Sequence, residues 1–300
     1  MTYATLVTGL QDPIAQWLKE EGHKVRKVMD GAILYDAKKH KPLPCFFNTF
    51  DVLYQEKGTV EQLMRTVLKK PVKFPRGRGS FRIVTSKENQ LISVSSKLRN
   101  DVEKLISART GLTPERRGGG REFWFLSRSE GITLFMERHP SPKEPQLKKG
   151  ELRPQLAYCL NRLSNPKADD VMLDPFSGHG SIPKSRAEYF PCKEIHSMDR
   201  EPGIEKLPSL FPPQSVDVIV TDPPWGAYNK EDDIPALYET FAKVSRQIIK
   251  PGGRVVVLSA QKELMRSHLE KGLWGSAKLI ASYDILVSGQ KAGVFLIQFV

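Results

Sequence analysis

Two short stretches hold the residues whose types and spacing could do chemistry. The first is Thr221-Asp222-Pro223-Pro224-Trp225-Gly226, which follows an apolar run at 216–220. That run reads as a buried strand stopped by two prolines. Neither proline can donate a backbone hydrogen bond. The chain therefore leaves the sheet in a stiff loop that holds an acid, free carbonyls and an indole together. The set suits a planar, nitrogen-bearing ring: Asp222 and the Pro223 carbonyl can accept from an exocyclic amine, and Trp225 can stack on the ring face. The plainer alternative is a strand-ending turn with an incidental aromatic. The second stretch is Asp174-Pro175-Phe176-Ser177-Gly178-His179-Gly180, after a short apolar run at 171–173. Gly178 and Gly180 would let the backbone approach a ligand closely. A dinucleotide fingerprint would want a third Gly or Ala where this chain has Pro183, so a pyrophosphate is disfavoured. Asp174 suits a cationic ligand end instead. Asp199, 19 positions after Gly180, ends the following strand and could accept both hydroxyls of a ribose, or cap a turn. His179 reads as a loop residue without a catalytic role.

Hydrophobic periodicity supplies the elements that must position these loops. In the first half it predicts strands over 3–10, 25–28 and 31–35, a helix over 13–21, a short element over 46–53 and a helix over 58–68. The Asp30-Gly31 pair joins two of the strands as a hairpin. Residues 69–79, rich in Pro and Gly, read as a basic linker that is either solvated or in contact with phosphates; Lys69, Lys70, Lys73, Arg76 and Arg78 carry its charge. A strand over 80–85, a helix over 94–110 closed by Gly111, and strands over 123–127 and 132–136 follow. Lys97 falls on the solvent side of that helix, with Arg116, Arg117 and Arg121 beyond it. Residues 140–148 form a stiff polar boundary. In the second half Pro154 opens a helix to about residue 163. Strands are expected at 171–173, 195–199, 216–220 and 254–258, and a final pair at 279–288 and 294–300. Helices are expected at 234–249, with Leu237, Phe241, Val244 and Ile248 inward, and at 262–271. The charged loop 229–233 is a candidate to close over substrate.

A chain of 300 residues with 14 Phe, 8 Tyr and 4 Trp is long enough for two domains and too aromatic for disorder. No run approaches the ~18 apolar residues that a membrane span needs. A cytoplasmic protein is expected, and Cys45, Cys159 and Cys192, without metal-ligand spacing, are expected as reduced, mostly buried thiols. Charge is the sharpest compositional signal. Residues 1–150 carry 28 Lys+Arg against 16 Asp+Glu, whereas residues 151–300 carry 18 of each, so the whole excess of +12 lies in the first half. A basic module joined to a neutral one suggests capture of a polyanion by the first and chemistry by the second.

Asp222-Pro223-Pro224-Trp225 resembles the (Asp/Asn/Ser)-Pro-Pro-(Tyr/Phe/Trp) motif of amino-methyltransferases that use S-adenosylmethionine (SAM). Asp-Pro-Phe-x-Gly-x-Gly at 174–180 is similar to the first motif of the same family. Leu152-Arg153-Pro154-Gln155-Leu156-Ala157 is similar to a segment that lines the methionine end of its cofactor. The resemblance implies a Rossmann-like class I methyltransferase domain at 149–300. SAM would be held by Pro154, Asp174, Phe176, Ser177, Gly178, Gly180, Asp199 and Arg200, and the chemistry would fall to Asp222, Pro223 and Trp225, with no metal. The element order of 1–138 resembles a ferredoxin-like domain (1–60) followed by a THUMP RNA-binding domain (61–139), an α+β arrangement joined by the 140–148 linker. As implied by the family, Lys69, Lys70, Lys73, Arg76, Arg78, Lys97, Arg116, Arg117 and Arg121 would meet RNA phosphates. The partner would be structured RNA, tRNA first, bound by a monomer, with room for a small adaptor subunit and no membrane.

One segment departs from the family. A helix and a third strand bearing an adenine-binding acid usually precede the Asp-Pro-Pro motif. Here the four prolines among residues 201–213 leave too little length for both, and the fold is expected to be trimmed on that side. Enzymes that join these two modules mostly methylate the exocyclic N2 of guanosine in tRNA. N2 of guanine in rRNA, N6 of adenine, and a degenerate methyltransferase fold that only binds RNA are the alternatives.

Overall fold

The computed structural model describes residues 1–37, 42–116, 120–140, 146–199, 203–226 and 233–300. The chain forms two compact units. One comprises Met1–Thr5, Ala15–Pro42 and Phe46–Glu144; the other comprises Leu6–Ile14, Leu43–Cys45 and Pro145–Val300.

The first unit contains β1 (Thr2–Thr5), most of α1 (Gln11–Glu20), β2 (Lys24–Met29), β3 (Ala32–Asp36), β4 (Asn48–Glu56), α2 (Val60–Lys69), β5 (Ser80–Lys87), β6 (Gln90–Leu91), α3 (Ser96–Thr110), β7 (Thr113–Pro114), β8 (Arg121–Arg128) and β9 (Ile132–Arg138). Among the described residues they make one nine-stranded sheet in the order β2-β3-β1-β4-β9-β8-β5-β6, with β7 beside β5. Because β4 pairs with β1 on one edge and β9 on the other, the segments 1–60 and 61–139, read from sequence as two domains, share that sheet. The strand expected over 3–10 stops at Thr5, since Gly9 turns the chain at φ 97° and its N–H is taken by Gln11 Oε1 at 2.8 Å. Helix α2 begins with a Thr59/Gln62 capping box and α3 ends in left-handed Gly111. Both helices bury Leu63, Val67, Val102 and Ile106 against Phe81, Phe123, Phe125 and Phe135 of the sheet. The expected linker is not loose coil. Val72 is buried, and Phe74 lies edge-on to Phe135 at 5.7 Å, while Lys73 between them is exposed.

The second unit contains α4 (Pro154–Leu163), β10 (Val171–Asp174), α5 (Ser181–Tyr189), β11 (Glu194–Ser197), α6 (Leu207–Leu210), β12 (Val216–Thr221), α7 (Ile234–Ile248), β13 (Ile249–Ser259), α8 (Lys262–Glu270), β14 (Lys278–Val287) and β15 (Gln290–Gln298). Its sheet runs β11-β10-β12-β13-β15-β14, parallel over the first four strands and antiparallel over the last two. The trimming expected near residue 205 is present. Between β11 and β12 the described chain has one 3-10 turn, Ile204–Lys206, and the short α6. Ile204, Leu207 and Phe211 fill the core there, and β11 is left as the sheet edge. On α7 the inward stripe includes Tyr238 rather than Leu237, which is only partly buried. The ring of Tyr238 fits the core because its hydroxyl finds a partner in Ser259. Asp170, just before β10, binds Arg186 of α5 at 2.9 Å and also Arg254 of β13. This buried brace fixes the start of β10. Cys45 and Cys159, remote in sequence, meet inside this unit, where burial and a hydrogen bond between the two thiols push Cys45 well above its usual range.

Candidate active site

Strands β10 and β12 are parallel neighbours, with Met172 opposite Val218 and Leu173 opposite Ile219. Their loops therefore emerge together at the carboxyl edge of the sheet, where open α/β sheets bind ligands. Asp174 ends β10 and is 1% exposed. Its Oδ1 accepts from Thr221 Oγ1 at 2.7 Å and from the Phe176 N–H at 3.2 Å, while Oδ2 is buried with no partner. Burial pushes this carboxyl up to about 7, helped by the charge of Asp199, against the pull of those two hydrogen bonds.

The loop after Asp174 is folded back on β11. Ser177 N–H donates to the Met198 carbonyl at 2.7 Å, Met198 N–H to the Asp174 carbonyl at 2.9 Å, and Gly180 N–H to the Ser177 carbonyl at 2.7 Å. Gly178 (φ 48°) and Gly180 (φ 75°) are left-handed, and a Cβ on either would meet no protein atom within 4 Å. Glycine is thus required by the backbone here, and it leaves open space beside the loop. Phe176 packs edge-on to Phe241 at 5.5 Å. Asp199 is exposed nearby, and Pro154 is exposed at the first turn of α4. Arg200 lies outside the described residues, as does most of the charged loop 229–233.

Asp222 follows β12 and is partly exposed. Trp225 Nε1 donates to its Oδ1 at 2.9 Å. Burial pushes the Asp222 carboxyl up to about 7, with Asp174 adding to the effect and the indole hydrogen bond opposing it. Pro223 is buried and Trp225 is partly exposed. Gln261, just before α8, donates from Nε2 to the Trp225 carbonyl at 2.6 Å. The fold thus gathers Asp174, the 176–180 loop, Asp222 and Trp225 on one edge. Thr221, Gln261 and Ser259 have no role in the expectations drawn from sequence. A polar Ser-x-Gln at the carboxyl end of a buried parallel strand was the available signal. The expected role of Trp225 as a stacking platform gains a second part, because its N–H is engaged with the acid.

Asp174 keeps a buried carboxylate oxygen without a partner, and the glycine loop that follows it borders open space, a combination that suits an ammonium-bearing ligand. Asp174, the 176–180 loop and Asp199 therefore fit S-adenosylmethionine.

In the first unit Lys69, Lys70, Lys73, Arg76, Arg78, Lys97 and Arg116 are exposed. Lys70 also lies over the Tyr54 ring at 5.8 Å. Arg65, not picked out from sequence, joins Lys69 and Lys97 around a cleft of about 270 Å3 between α2 and α3. Arg121 differs from the rest: it binds Glu137 and the Pro75 carbonyl, so its charge is largely spent inside the unit. Arg117 lies outside the described residues.

Residues 143–191 and 197–282 match the family model described as UPF0020, RMKL-like, methyltransferase domain. Over 250 residues the chain is 24% identical to the tRNA (guanine(6)-N2)-methyltransferase of Thermus thermophilus, with 74% of each protein covered. The crystal structure of TrmN from Thermus thermophilus matches with a TM-score of 0.79 at 20% identity, over 100% of this chain and 99% of that one. The crystal structure of SMU.472 complexed with SAH matches with a TM-score of 0.68 at 15% identity, over 99% and 97% of the two chains. Both likenesses show a shared fold, the α/β architecture with a Rossmann-like methyltransferase domain that the motifs implied. No helix among the described residues is long and apolar enough to cross a membrane.

Proposed function

We propose that this protein transfers a methyl group from S-adenosylmethionine to the exocyclic N2 of a guanosine in tRNA. The observation that carries the reading is the adjacency of two acids at the ends of β10 and β12, one with an orphaned oxygen and a glycine loop after it, the other in a proline corner with an indole. The relative from Thermus thermophilus, named as a tRNA (guanine(6)-N2)-methyltransferase, supports the base and the RNA.

Bound SAM would supply an electrophilic methyl on a sulfonium. The protein's part is to prepare the nucleophile. An aniline-like amine shares its lone pair with the ring. Hydrogen bonds from its two N–H groups to Asp222 and to the Pro223 carbonyl would draw the nitrogen toward sp3 geometry and aim the lone pair along the line of displacement. The new N–C bond forms as the C–S bond breaks, and the surplus amine proton leaves afterwards. A carboxyl near 7 can receive it transiently. Trp225 holds Asp222 Oδ1 and offers its ring face to the base. Asp174 would take the ammonium end of SAM and Asp199 its ribose. The exposed cations at residues 69–78, Lys97, Arg116 and Arg65 would receive phosphates of the tRNA, with the first unit serving as a THUMP-type module. On this reading the protein works in the cytoplasm, as a monomer, with or without a small adaptor.

Mass spectrometry of nucleosides from tRNA incubated with the protein and methyl-labelled SAM tests the reading. Labelled N2-methylguanosine is expected. Labelled N6-methyladenosine would replace the base assignment, and absence of label from every nucleoside would overturn the reading.

A further inference from the structure

The loop of residues 222–226 is short of backbone donors. Two of its residues are prolines with no N–H to donate, and the Pro223 carbonyl must stay free for a base amine. A side chain from a neighbouring element supplies a donor, that of Gln261. Its Nε2 donates to the Trp225 carbonyl at 2.6 Å. Gln261 occupies the N-cap position of α8 yet makes no side-chain capping bond, so the amide is not committed to the helix. Its backbone N–H donates to Ser259 Oγ at 2.9 Å, and Ser259 Oγ shares a 2.6 Å hydrogen bond with the Tyr238 hydroxyl. Ser259 is 0% and Tyr238 1% exposed. The amide also packs toward left-handed Gly226, where a Cβ would sit 3.9 Å from Gln261 Nε2 and 3.1 Å from Ile234 Cγ1. A line of hydrogen bonds thus runs from the core at α7, through the end of β13, to the corner that carries Asp222.

We propose that Gln261 is a positioning residue for methyl transfer: through the Trp225 carbonyl it fixes the corner that presents the Asp222 carboxyl and the Pro223 carbonyl to the substrate amine. This rests on the methyltransferase reading above. Gln261→Met keeps length and bulk but loses the donor. Its kcat on tRNA should fall by about 10- to 100-fold, the scale expected when a reacting group is displaced by ~1 Å. The KM for tRNA and the Kd for SAM, measured by titration calorimetry, should remain near wild type. Acrylamide quenching of Trp225, read as the difference from a Trp225→Phe background, should rise. Tyr238→Phe cuts the line one step further back and should lower kcat by a smaller ~2- to 10-fold, the value of one hydrogen bond; it serves as the test should Gln261→Met fail to bind SAM.

Wild-type kcat in Gln261→Met, or in Tyr238→Phe where that variant stands in, would overturn the proposal. So would a raised KM for tRNA at unchanged kcat, which would make Gln261 a substrate contact. The quenching arm needs no turnover. If the wild-type protein methylates no tRNA the functional reading fails, whereas unchanged Trp225 quenching in Gln261→Met sinks the positioning role by itself.

Discussion

The loops after β10 and β12 stand side by side and are built on opposite lines. After β10 the chain uses two left-handed glycines whose Cβ positions are open and leaves a carboxylate oxygen without a partner. After β12 it uses two prolines and ties its polar groups together: Thr221 to Asp174, Trp225 to Asp222, Gln261 to Trp225. The first loop yields space to something absent from the chain itself. The second holds its own shape. A binding pocket tolerates small adjustments, whereas an in-line displacement loses rate steeply with misalignment, and the contrast between the loops follows that difference in tolerance.

The contrast can be broken at either loop. The largest effect is expected at Asp222→Ala, where kcat should fall by ~10²–10⁴-fold while calorimetry finds SAM affinity little changed; near-normal turnover would end the assignment of the second loop. Gly178→Val should do the reverse. A side chain there meets no protein but strains the left-handed backbone and fills the ligand's space, so the Kd for SAM should rise ~10- to 100-fold, in line with ~1–3 kcal/mol of overpacking. Unaltered SAM affinity would mean that the space serves no ligand. Trp225→Ala should cost ten- to hundredfold in kcat/KM, matching ~1–3 kcal/mol for one stacked base. Trp225→Phe, which keeps a ring and loses only the N–H, should cost less.

Smaller effects concern protons and salt. Asp174 and Asp222 are both pushed up to about 7, whereas an unfolded Asp titrates near ~3.9. Turnover should therefore decline as pH falls through about 7, because a protonated Asp222 is a weaker acceptor and cannot take the surplus amine proton. The folded chain also holds protons that the unfolded chain has released. Unfolding free energy from urea melts should accordingly decrease as pH rises from ~4 to ~7 and level off above that. Asp222→Asn should remove part of this slope, and identical slopes in the two proteins would refute the buried-acid account. In the first unit, Lys73→Ala should reduce the salt dependence of tRNA binding by about one unit of slope. Arg121→Ala, whose guanidinium is held by Glu137, should lower Tm and leave that slope unaltered.

Much of this was legible because it depends on local rules. Pro-Pro after an apolar run stops a strand, Gly-x-Gly opens a loop, and Gly111 ends a helix whatever surrounds them. The prolines and short length of 201–213 likewise announced that the described residues between β11 and β12 would hold no further strand. What could not be read depends on contacts between distant segments. Whether the Trp225 N–H turns to Asp222 or to solvent is decided by rotamers that spacing does not encode. Gln261 was invisible because its partner lies on another strand's loop. Arg121 looked like its basic neighbours until Glu137, from the paired strand, was placed opposite it. Tyr238 was passed over for Leu237 because its hydroxyl suggests exposure unless a buried Ser259 is known to receive it.

Gly9 adds one more consequence. A Cβ there would overlap the Asp284 carbonyl oxygen of β14, and residues 6–14 and 43–45 belong to the same compact unit as everything after 145. The methyltransferase half is therefore not a cassette. A chimera that transplants only residues 149–300 onto a different RNA binder would leave behind pieces of its own packing, and a faithful graft has to carry all three segments.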